Sequence, residues 1–251
     1  MDRAFFEHLS AMARVAIDVE LGRGLIADNK AATGFDPVTE ADRATERVLR
    51  EEIERRFPDH GIWGEEYGMS RAEASVRWSL DPIDGTRALV CGLPSWAVLV
   101  GLLEDGRHVA GMIDLAALDE RLIGVDGKTW RNGALTQTSG CARIGQARIS
   151  TTDPNLFVGE EYEAFERLRL ASRLTRFGLD AMAYARVATG DLDLAIDNGL
   201  KPHDYDALVA VVRGAGGTIG DWEGGEDFGP GRVVAAASRE LYDQVVALLG
   251  G

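Results

Sequence analysis

Residues 81–87, with the sequence DPIDGTR, contain two carboxylates three positions apart, followed by a glycine and a hydroxyl. They come directly after residues 78–80, which we interpret as the end of a strand. Carboxylate oxygens bind Mg²⁺, and the free backbone N–H groups of a Gly-Thr turn bind anions. A segment that offers both can hold a divalent cation and a phosphate group together, which indicates phosphate chemistry.

Acidic residues recur in three other stretches of the chain. Residues 36–42 (DPVTEAD) and 64–68 (GEEYG) precede the first segment. Residues 201–204 (KPHD) follow it, ahead of the glycine-rich residues 214–217. If the fold brings these stretches together, they form a cluster of carboxylates that is suited to metal binding.

Each acidic stretch also has a purely structural explanation. Asp-Gly pairs are common in turns, and Thr39 with Asp42 three residues later is typical of a helix capping box. Asp204 precedes an apolar run and is suited to an N-cap. Glu65 and Glu66 are then charges on a solvated loop. These alternatives stay open on local pattern alone.

Composition excludes several classes of partner. The chain has 251 residues, 45% of them hydrophobic, which fits one large domain or two small ones. Its 41 acidic and 27 basic residues give a net charge of −14, which argues against nucleic acid or an anionic membrane as a partner. An acidic protein that acts on an anionic phosphate needs cations to reverse the local field.

Cysteine, histidine and hydropathy patterns add no second site. Cys91 and Cys141 form neither a disulfide framework nor a metal-binding spacing, and the four histidines show no zinc or dyad spacing. The sequence has no signal-peptide pattern and no apolar run near 18 residues. We therefore expect a cytoplasmic protein.

The periodicity predicts helices over an antiparallel sheet in about residues 1–137, and alternating helices and strands in about residues 138–251. In the first helix we assign Phe5, Phe6, Leu9, Met12, Ala13, Ala16 and Val19 to the inner face. The predicted helices are near 5–19, 39–57, 160–171, 181–188, 205–214 and 240–249. The predicted strands are near 61–63, 76–80, 96–103, 109–113, 121–125, 174–177, 191–196, 217–220 and 232–236.

The four acidic stretches, in this order, resemble the inositol monophosphatase family of fructose-1,6-bisphosphatase-like, metal-dependent and lithium-sensitive phosphatases. The resemblance extends from about residue 30 to about residue 222. It implies an α/β (α+β) fold, a layered α-β-α-β-α sandwich, with residues 1–251 forming one catalytic unit. The site then lies between the two halves of the chain.

The resemblance also implies which residues bind metal. Asp81 bridges two Mg²⁺ ions, and the carbonyl of Ile83 and the carboxylate of Glu65 complete the ligands of one of them. Asp84 and Asp204 bind the other with Asp81. The first ion lowers the pKa of the attacking water, and the second stabilises the leaving alkoxide.

The remaining site residues follow from the same resemblance. The N–H groups of Gly85 and Thr86 hold the phosphate, and the Thr86 hydroxyl, held by Asp42, orients the water. Glu66 and Asp36 are expected in outer positions around the metals.

The implied cofactors are two to three Mg²⁺ ions per site, the third bound weakly beside Glu65. The resemblance also implies that Mn²⁺ can replace Mg²⁺ and that Li⁺ inhibits the enzyme. The expected partner is a small phosphate ester, with no nucleic acid and no membrane, and the expected assembly is a homodimer.

Peripheral residues favour the histidinol-phosphatase branch of this family. Three stretches resemble it: residues 60–68, residues 84–87, and residues 199–204 together with the chain that continues to residues 220–224. Residues 175–180 also resemble the Gly-Gly-Asp segment of that branch. Arg87 and His203 stand where inositol monophosphatases usually carry other residues. The resemblance thus implies hydrolysis of L-histidinol phosphate in histidine biosynthesis.

A cationic substrate needs carboxylates that are not occupied by metal, and Asp180 and Asp197 are the candidates. Arg87 either contacts substrate or forms a structural ion pair. An inositol-1-phosphatase or a broad sugar and polyol phosphatase is the alternative. A regulatory binding protein without activity is a more remote alternative, because the chain retains all the catalytic residues of the family.

Overall fold

Two large sheets, one two-stranded sheet and three layers of helices build the described part of the fold. The structure is a computed structural model that describes residues 2–30 and 37–250. Its helices are α1 (Arg3–Arg23), α2 (Glu40–Arg56), α3 (Thr86–Val90), α4 (Glu160–Ala171), α5 (Ala181–Thr189), α6 (Pro202–Gly214) and α7 (Arg239–Leu249). Its strands are β1 (Ala27–Asn29), β2 (Pro37–Thr39), β3 (Gly61–Gly64), β4 (Gly68–Ser70), β5 (Val76–Asp84), β6 (Ala97–Glu104), β7 (Arg107–Leu115), β8 (Glu120–Val125), β9 (Lys128–Arg131), β10 (Ala134–Leu135), β11 (Arg148–Thr151), β12 (Leu174–Phe177), β13 (Leu194–Asp197), β14 (Thr218–Gly220) and β15 (Val233–Ala236).

The layers alternate between helices and sheets. Helices α1 and α2 cover one face of an eight-stranded sheet of order β10-β9-β8-β7-β6-β5-β3-β4. Helices α5 and α6 lie between this sheet and a five-stranded sheet of order β12-β11-β13-β15-β14, whose outer face carries α7 packed beside α4. Apolar side chains fill each of these interfaces. The predicted layered α-β-α-β-α class is confirmed, while the division near residue 137 stays a prediction.

The first helix is confirmed, but its buried face was partly wrong. Helix α1 begins after Asp2, whose carboxylate accepts the N–H of Ala4 at 2.6 Å. Phe6, Leu9, Ser10, Ala13 and Ile17 are buried, whereas Val19 is 47% exposed. Ile17 continues the inner face because it lies four residues, about one turn, after Ala13, whereas Val19 lies six residues after Ala13 and so faces away.

Several features of the sheets differ from the prediction, and the strands β1, β2, β4, β9 and β10 were not among those predicted. Strand β3 pairs parallel with β5, because β4 turns back along β3 and the chain then returns in the direction of β3. Strand β11, an interior strand of the second sheet, was also missed. It contains one large apolar residue, Ile149, and its buried Ser150 and Thr151 carry no apolar signal. By contrast, α4 and β12 have the predicted bounds.

A row of small residues crosses the eight-stranded sheet. Gly101 pairs with Gly111, and Gly111 pairs with Gly124, while Ser79 and Thr129 continue the row on either side. Five strands are crossed, about 19 Å at the usual spacing, and the 13 residues of α6 span about 20 Å. The row therefore has the length of the helix that lies over it.

Helix α6 meets this row backbone to backbone. A Cβ added at Gly111 would lie 2.2 Å from the carbonyl oxygen of Ala207, and one at Gly124 would lie 2.4 Å from that of Ala210. At one end of the row the Thr129 hydroxyl donates to the Val211 carbonyl at 2.7 Å. No side chain fits between helix and sheet at these positions, so the glycines set how closely α6 approaches the sheet.

We expect Gly111→Ala to lower the free energy of unfolding by about 3 kcal/mol, because the neighbouring atom is a helix carbonyl that cannot rotate away. Urea denaturation measures the effect. Gly22→Ala is the matched control, since a Cβ there meets nothing within 4 Å and alanine favours the helix by about 1 kcal/mol. Equal stability changes in the two variants would contradict this account of the row.

Candidate active site

Three carboxylates from opposite halves of the chain meet at the end of β5. Asp81 is buried, Asp84 and Asp204 are half-buried, and each offers an oxygen within 4.8 Å of the others. The pairing of β5 with β6 shifts register between Asp81 and Asp84, which opens the strand end. Asp204 comes from the first turn of α6. The register shift and the helix lying on the glycine row thus position the three side chains.

The predicted helix start at this site was wrong. Helix α6 begins at Pro202, so Asp204 is not its N-cap but lies inside its first turn, where it accepts the Lys201 N–H at 2.7 Å. Proline at a helix start is favoured because the first N–H groups have no partner within the helix. The predicted helix near residues 205–214 therefore begins three residues too late.

Glu65 lies beside the three carboxylates but is not part of the group within 4.8 Å. It lines the same cavity, of about 190 Å³, as Asp81, Asp84 and Asp204. The ammonium of Lys30 lies 3.1 Å from Glu65 Oε1 and also binds Glu66. The sequence analysis did not identify Lys30, which has no motif of its own.

Burial and mutual repulsion raise the pKa values of these acids. Burial is the larger cause for Asp81 and Asp84, whose pKa values lie well above the usual range, and nearby carboxylates add to it. The pKa of Asp204 is also raised, chiefly by burial. Such crowding favours a divalent cation, and oxygens that share one Mg²⁺ lie about 3 to 4 Å apart. The donor set therefore fits Mg²⁺.

Asp42 contacts both Thr39, which caps the start of α2, and Thr86, the predicted water-orienting residue. Its Oδ2 accepts the N–H and the hydroxyl of Thr39, at 2.7 and 2.6 Å. Its Oδ1 lies 3.2 Å from Thr86 Oγ1, which is also 3.0 Å from the Ile83 carbonyl. Burial raises the pKa of Asp42. The capping box and the pairing with Thr86 thus use different oxygens of one carboxylate.

The predicted phosphate-binding turn has the conformation that glycine allows. Gly85 has a φ of +79° and precedes α3, which begins at Thr86. A Cβ at Gly85 would lie 3.0 Å from Asp180 Oδ2, so the Asp180 carboxylate lies directly against this turn. Both residues and the exposed Arg87 line the cavity of the three carboxylates. The structure therefore brings the predicted substrate residues Arg87 and Asp180 to the site.

The backbone at Asp180 is strained and supports Asp84. Asp180 has a φ of +48° and a ψ of −142°, in a region that favours glycine. This conformation directs the N–H of Ala181, at the start of α5, to Asp84 Oδ2 at 2.7 Å. Burial raises the pKa of Asp180, and Arg87 partly offsets that effect.

Asp197, the other predicted substrate carboxylate, is buried and already has three donors. The Thr151 hydroxyl and Thr152 N–H donate to Oδ1 at 2.9 and 2.7 Å, and the Tyr184 hydroxyl donates to Oδ2 at 3.0 Å. Asp197 and Tyr184 line a cavity of about 130 Å³ that Asp84 also lines. Tyr184 was missed, although it lies one helical turn after Asp180.

We expect Asp197 to make stability pH-dependent. Burial raises its pKa to about 6, despite its three hydrogen bonds. The folded state holds this proton more tightly than the unfolded chain, so its contribution is complete below about pH 4 and is lost as the pH rises through about 6. In Asp197→Asn the amide oxygen still accepts from Thr151 and Thr152, and the amide N–H donates to the Tyr184 hydroxyl oxygen, without any ionisation. Relative to this variant, wild-type unfolding free energy in chelator should fall by about 3 kcal/mol across that range, and an unchanged difference would contradict the assignment.

Two predicted outer residues have different outcomes. Asp36 lies outside the described residues. Glu66 donates its backbone N–H to Glu46 Oε2 at 2.6 Å, and its carboxylate binds Lys30. Burial raises the pKa of Glu66, while Lys30 opposes that effect.

A larger cavity, of about 460 Å³, lies apart from the three carboxylates, with Leu21, Leu93 and Trp96 in its lining. It is mainly apolar and has no cluster of acids, so the smaller acidic cavity is the candidate active site. Within the described ranges, no helix has the length and apolarity needed to cross a bilayer.

Comparisons with known proteins place the chain in a family. The sequence profile of the inositol monophosphatase family matches residues 3–250. The bifunctional phosphatase IMPL2 of Arabidopsis thaliana is 44% identical over 76% of this chain, which spans only 56% of that protein's length. Histidinol-phosphatase of Mycobacterium tuberculosis is 34% identical, over 85% of this chain and 84% of its own.

A solved inositol monophosphatase from Zymomonas mobilis has the same fold, with a TM-score of 0.88 and 36% identity over 99% of this chain and 97% of its own. The acidic cluster at the end of β5 fits the Mg²⁺ dependence that is general in this family. The chain belongs to the inositol monophosphatase family of phosphate-monoester phosphatases.

Proposed function

We propose that this chain hydrolyses L-histidinol phosphate to L-histidinol and phosphate, a step of histidine biosynthesis. The observation that supports this choice is the Asp180 carboxylate, which lies against Gly85 and outside the three-carboxylate group. It offers a negative charge to the ammonium or imidazole of the substrate, next to the phosphate-binding turn. A neutral polyol phosphate would gain no ion pair there.

The ligand set that we propose is Glu65, Asp81, the Ile83 carbonyl, Asp84 and Asp204. When bound, Mg²⁺ supplies the Lewis acidity that neutralises the phosphate and activates water as the nucleophile. The start of α5 donates its N–H to Asp84 Oδ2 and leaves Oδ1 for the cation.

Thr86 and Asp42 orient the attacking water in this proposal. When the Thr86 hydroxyl donates to Asp42, 3.2 Å away, its lone pairs accept a hydrogen bond from the water and fix the direction of attack. The N–H groups of Gly85 and Thr86 bind the phosphate oxygens, since a helix start carries partial positive charge.

Inositol 1-phosphate is the second candidate substrate. Overall similarity does not separate the two activities, because the Zymomonas mobilis inositol monophosphatase and the Mycobacterium tuberculosis histidinol-phosphatase are 36% and 34% identical to the chain. Carboxylates such as Asp180 also accept hydrogen bonds from polyol hydroxyls. The charge of the leaving group is therefore the property to test.

A phosphate-release panel tests the proposal on purified protein, with histidinol phosphate, inositol 1-phosphate and fructose 1,6-bisphosphate, each with Mg²⁺, with Mn²⁺ and with chelator. We expect activity that requires the metal, that Li⁺ inhibits, and that has its highest kcat/KM on histidinol phosphate. A kcat/KM at least tenfold higher on inositol 1-phosphate than on histidinol phosphate would contradict the proposed substrate. Activity in chelator would contradict the proposed metal dependence. Rescue of a histidine auxotroph tests the cellular role.

A further inference from the structure

Helix α2 carries a second buried carboxylate one turn after Asp42. Glu46 is 0% exposed and lies on the same face of the helix, four residues on. Its Oε2 accepts the N–H of Glu66 at 2.6 Å, and its Oε1 accepts the N–H of Tyr67 at 3.2 Å. Arg50 Nε donates to Oε1 at 2.7 Å. Two of the three bonds to Glu46 thus come from the backbone that directly follows Glu65.

The turn at Glu65 is held on both sides. The N–H of Glu65 donates to the carbonyl of Leu80, the residue before Asp81, at 3.1 Å. A Cβ added at Gly64 would lie 1.9 Å from Glu46 Oε1, so the Glu46 carboxylate packs directly against the chain before Glu65. The Glu65 side chain itself is partly exposed, and its contact with Lys30 does not fix the backbone. The buried Glu46 carboxylate fixes that backbone through the N–H groups of Glu66 and Tyr67.

We propose that Glu46 is a positioning residue that holds residues 65–67 so that the Glu65 carboxylate faces the metal centre. This inference rests on the proposed function, because it takes Glu65 as a metal ligand. One helix then orients two parts of the site, Thr86 through Asp42 and Glu65 through Glu46. Groups that orient a metal ligand in this way commonly change metal affinity by 10- to 100-fold when they are replaced.

The competing explanation is that Glu46 only stabilises the fold through its ion pair with Arg50. The two explanations differ in what happens to metal binding. A fold-stabilising ion pair affects the melting temperature and leaves the affinity of the folded protein for metal unchanged. A positioning residue changes that affinity, and only as long as Glu65 is present to be positioned.

Mn²⁺ binding to the purified full chain, followed by calorimetry and by electron paramagnetic resonance, separates these cases without an activity assay. Glu46→Gln, Glu65→Gln and the double variant form a cycle. We expect each single variant to raise the Kd of the affected ion by about tenfold or more. The double variant should bind Mn²⁺ no more weakly than Glu65→Gln, within about twofold, because Glu46 acts through Glu65.

A second double variant, Glu46→Met with Arg50→Met, addresses the case in which Glu46→Gln folds poorly. It removes both members of the buried ion pair and so leaves no unpaired charge, which restores stability more readily than a single replacement. The N–H groups of Glu66 and Tyr67 still lose their acceptor. We expect a melting temperature nearer to wild type together with Mn²⁺ binding that remains weak.

Two results would overturn the inference: wild-type Mn²⁺ affinity in the Glu46→Met, Arg50→Met protein, or independent losses from Glu46→Gln and Glu65→Gln that multiply in the double variant. If Glu65→Gln alone leaves Mn²⁺ binding unchanged, the ligand set under the proposed function fails, and the role of Glu46 fails with it. The cycle therefore distinguishes the failure of one idea from that of the other.

Discussion

Replacing Asp84 with asparagine is expected to lower kcat at saturating Mg²⁺ by about a thousandfold and, in chelator, to raise the melting temperature. The loss of rate corresponds to about 4 kcal/mol of charge stabilisation, the scale of a metal ligand's contribution. The gain in stability follows from the raised pKa of Asp84, since burial and neighbouring carboxylates make its charge costly in the metal-free protein. Asparagine retains an oxygen that accepts the Ala181 N–H.

Phosphate release and thermal unfolding, each with Mg²⁺ and with chelator, measure the two effects. Asp126→Asn is the matched control, because Asp126 is exposed in the turn between β8 and β9, where its φ of +52° suits asparagine. This control should change neither quantity. An Asp84→Asn protein with normal Mg²⁺-dependent activity would contradict the assignment of Asp84 as a ligand.

Asp180→Gly is expected to produce a more stable protein that is a poorer enzyme for cationic substrates. Glycine adopts the backbone conformation of Asp180 without the strain of about 1 kcal/mol or more that a side chain imposes there. It keeps the Ala181 N–H that supports Asp84. It loses the carboxylate, and one charge-assisted contact of about 1.5 to 3 kcal/mol corresponds to a loss of about 10- to 150-fold in kcat/KM on histidinol phosphate.

Asp180→Asn separates the two effects of that replacement. Both variants remove the negative charge near Asp84, but only glycine removes the backbone strain, so the difference in their unfolding free energies equals the strain less the extra entropy that glycine gives the unfolded chain. Both should lose more kcat/KM on histidinol phosphate than on inositol 1-phosphate, because only the cationic substrate loses an ion pair. A glycine variant with wild-type preference for histidinol phosphate would remove Asp180 from the substrate site.

The sequence predicted elements well where one pattern dominated. The bounds of α4 were confirmed because its charged and apolar residues recur at helical spacing between Gly159 and Ser172, and the end of β12 was confirmed because Gly178 follows it. Strand β11 was missed because its burial comes from neighbouring strands rather than from apolar side chains. Secondary structure that depends on tertiary neighbours leaves little local signal.

The acidic site could be assembled from the sequence only through the family resemblance. Local pattern gave Asp81 and Asp84. Asp204 approaches them because α6, from the second half of the chain, lies on the sheet that the first half forms, and such a long-range contact has no local marker in the sequence. Glu46 and Tyr184 were missed for the same reason, since each was interpretable only as a residue on a helix. Lys30 has distant partners in Glu65 and Glu66.

The glycine row on the eight-stranded sheet separates changes in apolar side chains around α6 from changes in the position of the metal-binding acids. Because main chain touches main chain along the row, exchange of apolar residues around α6 leaves the distance between helix and sheet unchanged, and Asp204 stays in register with Asp81 and Asp84. Leu200, which lines the cavity next to the acids and is only partly buried, is then free to vary in size. New leaving-group preferences can therefore evolve in this scaffold at little cost to its hydrolytic chemistry.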